Sequence, residues 1–127
     1  MTPPFITLAY PLSVNRYWTI DASSRSIRPT AAGRAWKTAA RALAHAQGAR
    51  HHLVAENPVA VDLVLLPRTN KDGSASAHRL DLDNCLKVTL DAMQTVLFSN
   101  DRQVIEINAK VGSPVAGGAL LVRARPA

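Results

Sequence analysis

Alternating apolar and polar residues predict several β-strands along the chain. Residues 5–10, FITLAY, alternate in this way and end at Pro11, which cannot continue the pairing. The segment VAVDLVLL, between Pro58 and Pro67, is rich in Val and Leu and has the length of a central strand. Near the C terminus, QVIEINAKV alternates as a strand, and SPVAGG followed by ALLVRAR completes a predicted terminal hairpin.

Helical spacing replaces alternation in two other stretches. Residues 31–47 are rich in alanine and follow Thr30, a favourable N-cap, so they predict a first helix that ends near Gly48. A second helix is predicted over residues 83–97, where apolar side chains recur at helical spacing and form a core-facing stripe. The apolar stripe of the second helix consists of Leu82, Leu86, Leu90, Met93 and Leu97.

Between the first strand and the first helix, YWTIDASSRSIRPT predicts a short hairpin or an ordered loop.

The elements follow the order strand, helix, strand, helix, strand, strand, which predicts an α/β (α+β) fold. A mixed β-sheet with two main helices packed against it would bury all of the apolar faces. With 127 residues, 47% of them hydrophobic, residues 1–127 are expected to form a single domain. Cys85 is the only cysteine, which excludes an internal disulfide and a multi-cysteine zinc site. No leader opens the chain and no apolar run approaches the roughly 20 residues of a membrane helix, so we expect a cytoplasmic protein without membrane contact.

Fifteen Lys and Arg residues against nine Asp and Glu give the chain a formal charge of +6. This excess favours a polyanionic partner, although a soluble protein that is merely basic would have the same composition. The first predicted helix places its apolar and basic side chains on opposite sides, since successive residues turn by about 100°. The basic side is either a solvated surface or a phosphate-binding face. The apolar side holds Trp36, Ala40, Leu43 and Gln47, and the basic side holds Arg34, Lys37, Arg41 and His45.

The segment RLDLDN, residues 79–84, places two carboxylates at the start of the second predicted helix. If the chain is still extended here, Asp81 and Asp83 point to the same side while Leu80 and Leu82 turn toward the core. Carboxylates about 5 Å apart repel each other by on the order of 3 kcal/mol at an effective dielectric of about 20 unless a cation lies between them. Helix capping is the simpler alternative, but one acid suffices for a cap. The residues alone leave metal binding and capping open.

Asp101, in the turn that leads out of the second predicted helix, is the best candidate for a third metal-binding carboxylate. Mg²⁺ is the expected ion, with Mn²⁺ as an alternative, because both accept carboxylate oxygens and Mg²⁺ needs few of them beside substrate phosphates. Lys87 lies four residues after Asp83 and four before Asp91, which suits a helix salt-bridge ladder. The alternative role for Lys87 is to hold a phosphate and stabilise the charge that develops in phosphoryl transfer.

The segments RLDLDNCLKVTLDAM and FSNDRQV together resemble the RusA family of Holliday junction resolvases, which are crossover junction endodeoxyribonucleases. Members of that family carry an Asp-x-Asp-Asn segment, a Lys further along the same helix, and a later Asp just before a strand. YPLSVNRYW, after the first strand, is similar to the family's Pro-x-Ser-x-Asn segment, so the resemblance covers most of the chain. The chain departs from the family in two places: the loop TNKDGSASAH is longer than usual, and SND has one acid where relatives often have two.

The resemblance implies a homodimer with an α/β fold that cuts two strands of a four-way DNA junction. It makes Asp81, Asp83 and Asp101 the metal-binding catalytic carboxylates, and Lys87 the catalytic cation. We therefore expect a Mg²⁺-dependent, structure-selective endodeoxyribonuclease that resolves Holliday junctions in recombination and repair through paired symmetric nicks. The alternatives are a non-catalytic basic nucleic-acid-binding domain and a nuclease that acts on forks or flaps. The predicted DNA-binding residues are Asn15, Arg16, Arg34, Lys37, Arg41 and Arg79.

Overall fold

A mixed four-stranded sheet, a separate two-stranded hairpin and three α-helices make up the computed structural model, which describes residues 2–127. The predicted fold class is confirmed. None of these helices is long and apolar enough to cross a membrane. The strands are β1 (Ile6–Leu8), β2 (Trp18–Ile20), β3 (Ile27–Pro29), β4 (Val59–Leu66), β5 (Val104–Val111) and β6 (Ala119–Pro126). The helices are α1 (Val14–Tyr17), α2 (Ala31–Ala46) and α3 (Leu82–Met93), with 3₁₀ turns at Ala49–His52 and Asp101–Gln103.

Strand β4 lies inside the sheet, whose strand order is β1-β6-β4-β5. It pairs in parallel with β5 and antiparallel with β6, and β6 also pairs antiparallel with β1. The predicted terminal hairpin between β5 and β6 is wrong, because these two strands lie on opposite sides of β4. Burial gives the physical reason. Every residue from Val59 to Leu65 is buried, so the most apolar strand takes a position with neighbours on both edges.

The helices cover one face of the sheet and enclose the core with it. Val61, Leu63 and Leu65 of β4 alternate toward this face, and each is 0% exposed. Both main helices bury one side against these residues, which is the arrangement expected from their amphipathic patterns. The buried helix residues are Trp36, Ala40 and Ala44 from α2, and Cys85, Val88, Ala92 and Met93 from α3.

Helix α2 begins where the sequence predicts, because the Thr30 hydroxyl oxygen accepts a hydrogen bond of 2.9 Å from the Gly33 N–H. It ends at Ala46, one residue before the predicted end. Its buried side is rotated from the predicted one, since Leu43 is 41% exposed whereas Ala44 is 0% exposed. The small Ala44 side chain allows a close approach to the core, which leaves the larger Leu43 at the rim.

Helix α3 is shorter than the predicted range of 83–97. Thr95 has a φ of 70°, in the left-handed region, and the helix ends before it. Val96 and Leu97 are nevertheless only 1% exposed each, so the turn after the helix continues the apolar stripe without helical structure. The first strand is also shorter than predicted, because only residues 6–8 of the range 5–10 pair with β6.

The segment between β1 and α2 folds into α1 and the β2–β3 hairpin, which confirms the hairpin of the two predicted alternatives. Helix α1 packs against α2 at Gly33, where a Cβ atom would overlap the carbonyl oxygen of Tyr17. The Thr30 N–H donates to that same oxygen at 2.8 Å. The turn that carries Asn15 and Arg16 is thus held directly against α2.

Candidate active site around α3

The N-terminal end of α3 carries the two acids of the RLDLDN segment. Asp81 is the N-cap, with extended backbone angles (φ −70°, ψ 148°), and its side chain makes no capping hydrogen bond. Asp83 lies in the first turn, and both residues are exposed. The prediction that the chain is still extended at Asp83 is wrong, because the helix already begins at Leu82. The two carboxylates share the end of the helix at which the helix dipole favours negative charge.

Tyr10 fixes the segment that leads into Asp81. Its hydroxyl oxygen accepts a hydrogen bond of 2.9 Å from the Leu80 N–H. Its carbonyl oxygen accepts one of 3.2 Å from the indole N–H of Trp36. The guanidinium carbon of Arg68 lies 4.2 Å from the centre of the Tyr10 ring, a cation–π contact. The N-cap of α3 is therefore tied to the chain that follows β1 and to α2.

Lys87 lies one turn beyond Asp83 on the same side of α3, and it is exposed. The predicted salt-bridge ladder is wrong, because within residues 2–127 Lys87 forms no ion pair with Asp83 or Asp91. Its ammonium group therefore has no protein partner in the described part of the chain. A cation in this position is available to a bound anion.

Asp91, near the C-terminal end of α3, has partners from two other helices. The Tyr17 hydroxyl of α1 donates to its carboxylate at 2.5 Å, and the Lys37 ammonium of α2 lies 3.3 Å from the same oxygen. Burial and then the hydrogen bond to Asp91 raise the pKa of the Tyr17 phenol well above its usual value, so the phenol remains a donor. This cluster joins the three helices at one point.

Arg41 caps the C-terminal end of α3. Its guanidinium donates to the carbonyl oxygens of Ala92 and Gln94 at 3.2 and 2.7 Å, and to the Thr95 hydroxyl at 2.7 Å. The last carbonyls of a helix lack intrahelical partners and carry partial negative charge, so a cation stabilises them. Both terminal nitrogens of the Arg41 guanidinium therefore donate hydrogen bonds within the protein.

Asp101 lies at the other end of α3 from Asp81 and Asp83. Its N–H donates to the side chain of Gln94, the C-cap of α3, at 3.3 Å. A helix of 12 residues is about 18 Å long. Within residues 2–127, no three His, Cys, Asp or Glu side chains form a group that could hold a metal ion. One chain therefore does not gather the three predicted carboxylates around one ion, and the catalytic role of Asp101 stays a prediction.

Metal binding by Asp81 and Asp83 stays a prediction, although carboxylate oxygens are ligands that a hard divalent ion accepts. Their exposed carboxylates are oxygen ligands, and Mg²⁺ is commonly held by one or two carboxylates together with substrate phosphates. The neighbouring Cys85 is not a third ligand. Burial raises the pKa of its thiol to about 11. The charge of Arg79 lowers this pKa, and the charges of Asp81 and Asp83 raise it. A buried, protonated thiol is a poor metal ligand.

The six predicted phosphate-contacting residues fall into two groups. Lys37 and Arg41 are engaged with the C-terminal end of α3, as described above. The other four are exposed, and within residues 2–127 none of them pairs with an acid. They are Asn15, Arg16, Arg34 and Arg79. Their roles stay predictions. Arg34 donates one hydrogen bond to the Pro29 carbonyl oxygen at 2.9 Å, and Arg79 donates one to the Leu80 carbonyl oxygen at 3.3 Å, so each guanidinium keeps further N–H groups for a partner.

A second charged cluster lies on the sheet face away from the helices. The carboxylate of Asp62 accepts hydrogen bonds at 2.8 and 3.0 Å from Arg123 and Arg125. Asn108 donates to Asp62 and to Glu106 at 3.0 Å each, and Arg125 also donates to Glu106 at 3.0 Å. Burial alone would raise the pKa of Asp62, but its hydrogen bonds outweigh burial and lower the pKa to about 2. Asp62 is therefore engaged within the sheet, whereas the side chain of Glu106, at the edge of the cluster, stays 52% exposed.

Sequence reasoning did not identify Tyr10 and Tyr17 as residues that position the site. Their hydroxyl groups bind partners 70 and 74 residues away along the chain. No local spacing marks such long-range pairs. The available signal is that both tyrosines belong to YPLSVNRYW, the segment that carries part of the family resemblance.

A comparison with protein families matches most of the chain. The family model described as Endodeoxyribonuclease RusA matches residues 10–120. This range contains Asp81, Asp83, Lys87 and Asp101. A search of curated proteins found no match.

Proposed function

Because this chain belongs to the RusA family of endodeoxyribonucleases, we propose that it is a Mg²⁺-dependent, structure-selective nuclease that resolves Holliday junctions. The proposal is carried by the family match, since the matched range includes an exposed, uncommitted group of two acids and one cation at the start of α3. The protein acts as a homodimer in recombination and repair. Two sites then cut two strands and leave paired symmetric nicks.

Asp81 and Asp83 hold the metal ion in this proposal. Two carboxylates at the surface would repel a DNA phosphate, so a cation must lie between them and the substrate. The bound Mg²⁺ supplies positive charge at the scissile phosphate and lowers the pKa of water. The family resemblance adds Asp101 as a third catalytic carboxylate. Hydrolysis leaves a 5′-phosphate and a 3′-hydroxyl.

Lys87 stabilises the negative charge that develops on the phosphate during hydrolysis. It lies one turn from Asp83 on the same side of α3, and it has no partner within the described residues. A positioned cation that meets charge developing in the transition state lowers the barrier more than one that binds the ground state equally well. The exposed amine therefore acts in catalysis rather than in the fold.

Exposed side chains near α1 and α2 position the DNA backbone. Asn15 and Arg16 lie on α1, and Arg34 lies in the first turn of α2. Contacts of this kind to phosphates fix the orientation of a duplex without reading its sequence. Arg79, two residues before Asp81, binds the strand close to the metal. Lys37 and Arg41 contribute less than the sequence predicts, because both are engaged with α3.

The proposal is tested with synthetic DNA substrates that share one sequence but differ in branching. A four-way junction, a fork and a flap are incubated with the protein and Mg²⁺, with EDTA in matched samples. The expected result is Mg²⁺-dependent paired cuts in the junction, placed symmetrically and sealed by ligase. Binding without cleavage in Mg²⁺ or Mn²⁺ would instead identify a non-catalytic DNA-binding domain. Preferential cutting of forks or flaps would show that the protein is a nuclease whose substrate is not the four-way junction.

A further inference from the structure

Among residues 2–127, strand β5 leaves a long edge of the sheet without a neighbour. It is the last strand in the order β1-β6-β4-β5 and has eight residues, whereas β1 at the other edge has three. The Gly112 N–H bonds to the Leu65 carbonyl at 2.9 Å, so it points toward β4. Since backbone groups alternate sides along a strand, those of Ile107, Ala109 and Val111 point away from β4. This row of donors and acceptors can pair with another strand.

Apolar side chains line the same edge. Ile105, Ile107 and Val111 are 68%, 41% and 38% exposed, and their alternate positions place them on one face of the strand. A long edge strand with exposed apolar residues is an association site unless charges or bulges block it. The register irregularity opposite Val59 and Ala60 lies at the beginning of β5 and leaves the rest of the strand regular.

We propose that two copies of this chain associate through β5, paired antiparallel around a two-fold axis at Asn108. The two four-stranded sheets then become one eight-stranded sheet. Glu106 faces Lys110 of the partner subunit, and Lys110 faces Glu106 of the partner subunit. On the helix side of the sheet, Ile107 faces Ala109 of the partner subunit, and Ile105 faces Val111 of the partner subunit. This inference rests on the homodimer of the proposed function but not on its catalysis.

Charge complementarity selects this register. A two-fold axis through β5 must place one residue opposite its own copy, so neighbouring registers are centred on Ile107, Asn108 or Ala109. The first puts Glu106 opposite Asn108, and the third puts Lys110 opposite Asn108. Only the register centred on Asn108 sets each acid against a base, and opposite charges on facing residues stabilise a strand pair.

The two charged residues are available for this pairing. Lys110 is exposed and has no ion pair within residues 2–127. The Glu106 side chain is 52% exposed even though it accepts a hydrogen bond from Arg125. The same strand therefore carries a cation and an acid four residues apart, placed symmetrically around Asn108. A second copy fits this pattern, because an antiparallel copy of the strand places its Lys110 opposite Glu106 and its Glu106 opposite Lys110.

Cysteine crosslinking tests the axis directly. In the proposed register Asn108 occupies a non-hydrogen-bonded pair, whose Cα atoms lie about 4.5 Å apart, within the range of about 4.4 to 6.8 Å for a disulfide. We expect Asn108→Cys to form a crosslinked dimer under mild oxidation. The matched control is Lys110→Cys, whose Cα lies about 13 Å from its own copy and cannot bridge. Cys85 is buried and does not compete.

Charge reversal tests the register in the unmodified backbone. Lys110→Glu sets acid against acid at two symmetric positions, so we expect the dimer Kd in sedimentation equilibrium to rise on the order of tenfold. The double variant Glu106→Lys with Lys110→Glu restores the opposite pairing and is expected to return the Kd toward that of the native chain. Circular dichroism shows whether each variant is folded.

Several outcomes overturn this interface. A native chain that stays monomeric at concentrations well above those of the assay contradicts it, as does a dimer whose Kd ignores both charge variants. Crosslinking through Lys110→Cys but not Asn108→Cys refutes the register. None of these measurements uses DNA. If the protein crosslinks at Asn108 but does not cleave DNA, the interface is supported and the nuclease function is refuted. If it cleaves DNA but does not crosslink, the nuclease function is supported and the interface is refuted.

Discussion

The two ends of α3 have similar residue types but opposite environments. At the N-terminal end, Asp81 and Asp83 are exposed, and the side chain of Asp81 makes no capping bond. At the C-terminal end, Asp91 is bound by Tyr17 and Lys37, and a guanidinium caps the last carbonyls. Protein side chains thus engage the acid at the C-terminal end, here called the fixed end. The two acids at the N-terminal end, here called the free end, have no side-chain partner within residues 2–127.

This difference separates acids that support the fold from acids that are available for chemistry. Sequence spacing treats Asp83 and Asp91 alike, since each lies four residues from Lys87. The structure gives Asp91 two internal partners and leaves Lys87 without one in the described chain. Arg41 holds the backbone at the C-terminal end of α3, and the Tyr10 hydroxyl holds the Leu80 N–H just before the N-cap, so the backbone of the helix is anchored at both ends.

Asp83→Asn removes a charge at the free end, and we expect it to have the largest effect of the changes considered. If the pair holds the metal ion as proposed, cleavage of a four-way junction falls about a thousandfold or more, because the metal would supply several kcal/mol to the reaction. Junction binding stays the same or becomes tighter, since a negative charge near the phosphates is lost. Single-turnover cleavage and a binding titration measure the two effects.

The matched control for that change is Asp91→Asn at the fixed end. We expect this variant to keep its cleavage rate within about tenfold of the native rate while its free energy of unfolding decreases. If Asp83→Asn cleaves normally, or if Asp91→Asn is the inactive one, the distinction between the two ends is lost.

Arg41→Ala removes the cap at the fixed end. The free energy of unfolding is expected to decrease by about 2 to 3 kcal/mol, because a charged donor group is lost from the helix terminus. Urea denaturation followed by circular dichroism measures this change. The matched variant Arg34→Ala removes an exposed arginine of the same helix that makes one hydrogen bond, to the Pro29 carbonyl oxygen at 2.9 Å, and we expect it to lower stability by less than about 1 kcal/mol. Equal losses in the two variants would contradict the assignment.

Asp62 extends the comparison to a fixed acid in the sheet. Its pKa is lowered from 3.8 to about 2 in the folded protein, so it stabilises the fold by about 2 kcal/mol above pH 4. That contribution is lost as the pH falls through about 2, because the unfolded chain takes up the proton first. The free energy of unfolding of Asp62→Asn is then expected to depend less on pH between 4 and 2. Parallel pH profiles for the two proteins would refute this assignment.

The salt dependence of junction binding gives the smallest expected effect. Arg34→Ala reduces the slope of log K against log salt by about 0.9, the value for one lost phosphate contact. Arg41→Ala reduces it by less, since its guanidinium is engaged with α3. Titrations at four salt concentrations, with both variants confirmed as folded, measure the two slopes. A larger change for Arg41→Ala would show that the capped arginine also reaches DNA.

Local patterns predicted the elements whose causes are local. Thr30 begins α2 through a bond to the Gly33 N–H three residues on, and the Val-rich run between two prolines forms β4. The RLDLDN segment also lies at a helix start, although Asp81 makes no side-chain capping bond there. The separation of β5 from β6 by β4 could not be predicted in this way. It depends on which strand is most buried in the complete sheet.

The position of Asp101 shows a limit that geometry could have exposed. A helix predicted over residues 83–97 is already about 22 Å long, so a turn that follows it begins far from Asp83. Spacing along the chain suggested a group of three acids, and helix length separates them. The partners of Asp91 were missed for a different reason, since Tyr17 is 74 residues away and Lys37 is on another helix.

The close contact at Gly33 determines where the turn that carries Asn15 and Arg16 lies. Because Gly33 has no side chain, the Tyr17 carbonyl lies directly against the backbone of α2, with Asn15 and Arg16 in the same short helix. A single added methyl group would lift that short helix outward. The distance of Arg16, a proposed DNA contact, from α2 is thus set by the missing Cβ atom of Gly33.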